Sequence, residues 1–179
     1  MTGSTYLDFD YALNKAFKLL KNEKTKSFGF LVICGLNLGL RVNDLTKLEF
    51  EDLRQESLSI TEGKTNKQRT LKVNETIKRA LEAFPNNAKG YAFTSQKGTP
   101  FSTQHVNRLL KQHFKGVGKG TVSSHSLRKA FGRRVWDNDN QSERSLIYLS
   151  QLFNHSTTAI TRIYLGVQQE ELDSIYMNL

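Results

Sequence analysis

Residues 26–45 read KSFGFLVICGLNLGLRVNDL, and this stretch decides the fold. Its apolar first part predicts a helix over about Lys26 to Leu38, and a helix that is apolar on all sides is a buried one. The Gly-Leu turn that follows brings Arg41 to the start of a second, short helix carrying Leu45 and Leu48. The sequence therefore places a cation directly after a helix that lies in the core.

Patterning along the rest of the chain predicts more helices and one hairpin. Helical periodicity and capping residues indicate helices at about 8–21, 74–83, 103–115, 126–137, 142–152, 157–164 and 168–178. Ser57–Thr61 and Gln68–Val73 alternate polar and apolar residues around a polar, glycine-containing segment, which predicts a β-hairpin with Lys64 at or near its tip. A return strand is predicted at Tyr91–Thr94. The predicted fold class is α+β, mainly α, with one small antiparallel β-sheet.

Composition limits the functional classes. A chain of 179 residues fits one domain, 1–179, and a formal charge of +9 suits a polyanionic partner. Charge alone does not separate DNA from RNA or an acidic membrane. Cys34 is the only cysteine, so no intramolecular disulfide and no cysteine cluster for zinc can form, and it is predicted to be a core residue. Without a signal-peptide pattern or a long apolar span, we expect a soluble, cytoplasmic protein.

Six polar residues stand in an order that indicates phosphodiester chemistry. They are Arg41, Lys64, His125, Arg128, His155 and Tyr164. Cations and imidazoles can hold a phosphate and neutralise the charge that develops on its oxygens, while a tyrosine supplies a nucleophile. That chemistry needs neither a metal nor a cofactor.

The same residues resemble the catalytic domain of the tyrosine recombinases, the phage-integrase family. The matching stretches are GLRVNDL at 39–45, EGKTNKQR at 62–69, HSLR at 125–128 and LFNHS at 152–156, followed nine positions after the histidine by Tyr164. Each piece alone is common, but five pieces in this order form a specific signal. The resemblance covers about residue 8 to the C-terminus and implies a site-specific recombinase or integrase that acts on double-stranded DNA.

The resemblance assigns a role to each residue on the phosphate. Arg41 and Arg128 would clamp it, since a guanidinium offers a planar fork of donors. The alternative is that both are ordinary surface arginines with no role at a phosphate. Asp44 would help to fix Arg41, or would form an ordinary i,i+3 ion pair with it. Lys64 would be the general acid for the departing 5′-oxygen, against the alternative of a solvated hairpin lysine.

The imidazoles and the tyrosine complete the assignment. His125 would be a base or a phosphate ligand, where a structural capping histidine is the alternative. His155 would donate to a phosphate oxygen, although the family usually has glycine at the position of Asn154; asparagine tolerates the left-handed conformation that glycine adopts there. Tyr164 would be the nucleophile, because Tyr148 and Tyr176 do not fit the spacing.

Other basic residues are candidates for DNA-backbone contacts. Lys67 and Arg69 follow the hairpin lysine, and a second group lies on or after the predicted 103–115 helix. That group is Arg108, Lys111, Lys115 and Lys119. A solvated face is the default explanation for such charges. Trp136 is predicted to be a core residue rather than a phosphate ligand.

Assembly is the part that the resemblance leaves most open. Family members usually carry an N-terminal DNA-binding clamp domain, absent from this sequence, so the chain is either a fragment or a stand-alone catalytic domain. The helix within 168–179 would dock on a neighbouring protomer or fold back on its own core. A homo-tetramer is expected only on DNA, and no membrane partner is expected. The rival functions are a nicking and resealing enzyme like type IB topoisomerases, and a non-catalytic DNA-binding remnant.

Overall fold

The computed structural model describes residues 3–117 and 120–179, with the side chains of 168–171 left aside. Lys119, a predicted DNA contact, therefore lies outside the described residues. The chain divides into two compact units, residues 3–131 and 132–179. The prediction of a single catalytic domain stays a prediction.

The first unit is built on helices around one apolar core. Its elements are α1 (Phe9–Leu20), α2 (Lys26–Leu38), α3 (Val42–Leu45), α4 (Phe50–Arg54), β1 (Ser57–Thr61), β2 (Gln68–Lys72), α5 (Glu75–Leu81) and α6 (Thr103–His113). Helix α2 is buried along most of its length, Cys34 included. Helix α1 packs closely on α2, and a Cβ at Gly29 would lie 2.7 Å from the Leu20 nitrogen. A larger residue at Gly29 would push the two helices apart.

A glycine turn ends α2 and places the first arginine. Gly39 is left-handed (φ 59°), and a Cβ there would lie 2.4 Å from the Phe131 ring, so both conformation and space require glycine. Two residues later Arg41 has extended backbone and caps the N-terminus of α3. The arginine is thus presented at the edge of the core, as the sequence predicts.

The hairpin is antiparallel, with Ser57 opposite Lys72 and Thr61 opposite Gln68. Its connecting turn is closed by backbone bonds from the Glu62 N–H to the Lys67 carbonyl (3.0 Å) and from the Asn66 N–H to the Glu62 carbonyl (2.9 Å). Lys64 lies in this turn, which confirms its predicted place at the hairpin tip.

The second unit contains three helices and the end of a fourth. Helix α7 (Ser124–Asn138) runs from the first unit into the second, followed by α8 (Glu143–Phe153), α9 (Thr158–Leu165) and α10 (Val167–Met177). Asn154 is left-handed (φ 58°) at the end of α8, which confirms that asparagine can take this conformation here. Trp136 is buried, as predicted.

The fold class is confirmed, with one two-stranded sheet in the described residues and helices elsewhere. The strand predicted at Tyr91–Thr94 is wrong. Tyr91 and Thr94 form single bridges to Glu49 and Pro100, because this segment turns back at Ser95–Gly98 before any ladder can extend. Within 3–117 and 120–179, no helix is long and apolar enough to cross a membrane.

Two local expectations also need correction. His125 was expected to precede the helix that holds Arg128, but α7 begins at Ser124 and includes it. The Ser126 side chain accepts from the Ser123 N–H (3.1 Å) and so supports this earlier start. The short helix after Arg41 ends at Leu45, so Leu48 lies between α3 and α4.

Candidate active site

Arg41 is held by a buried carboxylate. Its guanidinium Nη1 donates to Glu62 Oε2 at 2.7 Å, and the Glu62 side chain is 1% exposed while that of Arg41 is 23% exposed. Local sequence gave Glu62 no role, because its arginine partner lies 21 positions away. The ion pair fixes the Arg41 guanidinium against a buried carboxylate, with the arginine side chain still partly exposed.

Glu62 also receives two further hydrogen bonds. Arg69 Nη1 donates to Oε1 (2.7 Å) and Thr65 Oγ1 donates to Oε2 (2.8 Å). Burial opposes ionisation of the carboxyl, but the bonds from Arg69, Thr65 and Arg41 outweigh it and lower its pKa from 4.5 to about 2. Glu62 is therefore ionised over the whole physiological range.

Lys64 is exposed in the hairpin turn, and the residue before it, Gly63, is bonded to the carboxylate of Asp44. The Gly63 N–H donates to Asp44 Oδ1 at 3.0 Å. Asp44 was predicted to fix Arg41, yet this bond ties it to the backbone that precedes Lys64. Helix α3 and the turn are consequently linked at two points, Arg41 to Glu62 and Asp44 to Gly63.

Arg128 is a buried cation. Arg128 is only 5% exposed, and its Nη1 donates to the Gly39 carbonyl at 2.5 Å. That carbonyl belongs to the glycine that ends α2, two residues before Arg41. Burial restricts the rotamers of Arg128, so less conformational entropy is lost when it binds an anion.

His125 is surrounded by positive charge. Partial burial of its ring and the nearby charges of Arg128, Lys129, Arg41 and Lys64 lower the pKa of His125 from its ordinary 6.5. The imidazole is thus mainly neutral near neutral pH and can accept a proton. Since the charges of Arg41, Lys64 and Arg128 all act on His125, these four residues lie in one part of the first unit.

His155 and Tyr164 form a ring pair in the second unit. Their ring centroids are 5.1 Å apart at an interplanar angle of 67°, and Phe153 lies 5.4 Å from Tyr164 and 5.6 Å from His155. Such edge-to-face contacts add about 0.5–1.5 kcal/mol each beyond area burial. The half-buried Tyr164 ring is therefore held by aromatic packing.

Thr161 contacts the imidazole of His155 through its hydroxyl. His155 Nδ1 lies 3.0 Å from Thr161 Oγ1, and Thr161 is fully buried. The Thr161 hydroxyl also donates to the Thr157 carbonyl (3.4 Å), so this contact ties the His155 ring to the first turn of α9.

The remaining candidates occupy varied settings. Lys67 and Lys111 are exposed, whereas the Arg69 side chain is 15% exposed and bonded to Glu62. Arg108 Nη2 lies 3.2 Å from His105 Nδ1 on α6. Their contacts with DNA stay predictions. In the described part of the chain, no three His, Cys, Asp or Glu residues cluster as metal ligands would.

The competing tyrosines lie in open positions. Tyr148 is 60% exposed on α8 and Tyr176 is 76% exposed on α10. The Tyr164 ring, in contrast, contacts the imidazole of His155. The choice of Tyr164 from spacing stays a prediction.

Comparison with known proteins identifies the family. The profile of the phage integrase family matches residues 12–171. The probable integrase/recombinase YoeC of Bacillus subtilis is 29% identical over 166 residues, which cover 90% of this chain and 88% of that protein. Tyrosine recombinase XerC of Caldanaerobacter subterraneus is 31% identical over 147 residues, 76% of this chain and 40% of that protein.

Solved structures show the same fold. A lambda integrase dimer bound to a COC′ core site superposes with a TM-score of 0.69 at 16% identity, covering 92% of this chain and 49% of that chain. The chain thus spans most of the Bacillus relative and half or less of the other two proteins. It belongs to the phage integrase family, the tyrosine recombinases, and has the fold of their catalytic domain.

Proposed function

We propose that this chain is the catalytic domain of a site-specific recombinase that cuts and rejoins double-stranded DNA through Tyr164. The observation that carries the proposal is the cationic group around His125, in which two arginines are fixed by buried partners. A polyanion is the ligand that such a group selects. The names of the relatives support recombination as its use.

The proposed reaction assigns both groups of residues to one phosphate. The Tyr164 oxygen attacks phosphorus and passes its proton to the neutral His125 imidazole, while the bond from phosphorus to the 5′-oxygen breaks. Lys64 gives a proton to that leaving oxygen, which becomes a free 5′-hydroxyl. Arg41, Arg128 and a hydrogen bond from the His155 imidazole stabilise the charge on the non-bridging oxygens.

The product is a 3′-phosphotyrosine that keeps the phosphodiester energy. A 5′-hydroxyl from another strand then attacks the phosphorus, Tyr164 leaves, and the two protons return by the same route. The proposal extends to a homo-tetramer formed on DNA, to service of mobile DNA and to a cytoplasmic location. The exposed apolar side chains of α10, such as Ile175 at 59%, are available for docking on a neighbouring protomer.

The test is covalent capture on supercoiled plasmid without Mg²⁺ or ATP. We expect denaturant-resistant protein on 3′ ends with the wild type and none with Tyr164→Phe, at equal DNA binding. Tyr148→Phe, an exposed tyrosine of the same unit, is the matched control and should retain the adduct. An adduct in Tyr164→Phe would contradict the assignment, and plasmid relaxation without strand exchange would favour the nicking and resealing enzyme.

A further inference from the structure

The buried carboxylate of Glu62 joins the two parts of the first unit that carry Arg41 and Lys64. The Glu62 side chain is 1% exposed, so its charge requires compensation by hydrogen-bonded partners. Three donors provide it: Arg41 and Thr65 at Oε2, and Arg69 at Oε1. They come from three places, namely the start of α3, the hairpin turn and strand β2.

The backbone of the same residue shapes the Lys64 turn. Its carbonyl accepts from the Asn66 N–H (2.9 Å) and the Thr65 N–H (3.3 Å), and its own N–H donates to the Lys67 carbonyl (3.0 Å). A movement of Glu62 would therefore shift Arg41 through the side chain and Lys64 through the main chain. The Asp44 to Gly63 bond adds a second tie in parallel.

We propose that Glu62 is a positioning residue that fixes Arg41 and the Lys64 turn to each other, so that phosphate clamp and general acid reach one phosphodiester together. This inference rests on the proposed function. Glu62 itself does not touch the phosphate, because its carboxylate is buried behind the arginine that does. Near-attack placement of two groups at once is where small displacements cost most in rate.

Electrostatics and positioning predict opposite effects when the charge is removed. A carboxylate near a phosphate site opposes DNA binding, so Glu62→Gln should bind DNA as well as the wild type or up to about threefold more tightly. The glutamine amide can accept from one arginine, but its NH₂ group faces the donors of the other. Arg41 and the turn then lose their common anchor, and cleavage should slow by about tenfold or more.

The experiment measures both quantities in one set of variants. Affinity is read by anisotropy on a short labelled duplex, and cleavage by single-turnover adduct formation on supercoiled plasmid at saturating protein. Glu56→Gln is the matched control, since Glu56 is exposed, pairs with Lys78 (2.9 Å) and carries the same charge. We expect it to match the affinity change of Glu62→Gln while it cleaves at the wild-type rate.

A milder variant covers the case in which Glu62→Gln does not fold. Thr65→Val removes one of the three bonds to the carboxylate and keeps the side-chain shape. It should lower the cleavage rate by about two- to fivefold with unchanged affinity. Wild-type cleavage in folded Glu62→Gln, or a rate loss matched by an equal affinity loss, would overturn the proposal.

A measurement without DNA separates this inference from the proposed function. In ¹⁵N NMR spectra, ion-paired Arg41 and Arg69 should show slowly exchanging side-chain N–H signals that Glu62→Gln loses and Glu56→Gln keeps. The Gly63 and Lys64 amide signals should shift in the same variant. If the wild type forms no Tyr164-dependent adduct, the proposed function fails. Unchanged arginine and turn signals in Glu62→Gln would overturn the positioning role of Glu62 on their own.

Discussion

The cationic group of the first unit and the tyrosine group of the second are held by different forces. Arg41 and Arg128 are anchored by a carboxylate and a carbonyl at 2.7 and 2.5 Å. Tyr164 is held by the rings of His155 and Phe153, with centroids 5.1 and 5.4 Å away. The two arginines are held by polar bonds, whereas the Tyr164 ring packs against other rings.

This contrast determines what should disturb each group. Changes of charge and pH act on the first, since its partners interact through electrostatics in a partly desolvated setting. Changes of side-chain volume act on the second, because close-packed rings cannot adjust without strain.

Removal of Arg128 should show the largest effect. Arg128→Ala is expected to slow adduct formation on the order of 10²- to 10³-fold, as loss of a transition-state donor does. The Gly39 carbonyl also loses its charged donor, so the free energy of unfolding should fall by about 1–3 kcal/mol. Single-turnover adduct formation measures the loss of rate, and urea denaturation measures the loss of unfolding free energy. Arg128→Lys, which keeps the charge without the planar fork, should lie between alanine and wild type; equality with wild type would refute the clamp.

Acid should weaken the first unit through Glu62. Its pKa of about 2 lies below the ordinary 4.5, so the folded state gains stability above pH 4.5 and loses it as pH falls towards 2. The shift corresponds to about 3 kcal/mol. Urea unfolding of wild type and Glu62→Gln across this pH window measures it. The difference in unfolding free energy between the two should shrink as pH falls, and parallel curves would contradict the assignment.

Overpacking should disturb the tyrosine group. A Cβ at Gly132 would lie 2.6 Å from Leu165 Cδ2 and 3.0 Å from the Phe153 ring, which contacts Tyr164. Gly132→Ala should therefore cost about 1–3 kcal/mol of unfolding free energy and slow adduct formation without changing DNA affinity. Adding Leu165→Val removes the nearest conflicting atom and should restore part of both. If Leu165→Val restored neither quantity, the strain would have to lie elsewhere.

The smallest effect is expected at Thr161. Thr161→Val keeps the buried shape but removes the hydroxyl that lies 3.0 Å from His155 Nδ1. Loss of one such bond costs about 1 kcal/mol and should slow adduct formation about fivefold. Thr158→Val, at the first residue of the same helix, should leave the rate unchanged. A tautomer-sensitive NMR shift of His155 in Thr161→Val would confirm the cause.

Local signals predicted the elements whose reasons are local. The apolar run and Gly39 predict α2 with its observed bounds, and the caps Asn74 and Ser102 bond to the Ile77 and His105 amides as capping requires. The strand at 91–94 failed for the opposite reason. A strand needs a partner elsewhere in the chain, and no local pattern shows whether that partner is available.

Site residues divide in the same way. The position of Lys64 in the hairpin tip and of Asn154 at a helix end could be predicted, because turn chemistry decides both. Glu62 was missed, since an acidic residue before Gly63 carries no sign of partners at positions 41 and 69. Spacing selected Tyr164 over Tyr148, and only the structure showed the ring pair with His155.

By itself the sequence determined the class of fold, the order of the helices except the short α4, the hairpin and the ordered set of basic and aromatic residues. These follow from periodicity, capping and turn residues, which act over a few neighbouring positions. The tertiary structure alone decided which carboxylate anchors Arg41, that the pKa of His125 is lowered, and what holds Tyr164. Those properties depend on burial and on contacts between distant segments, which exist only after the chain has folded.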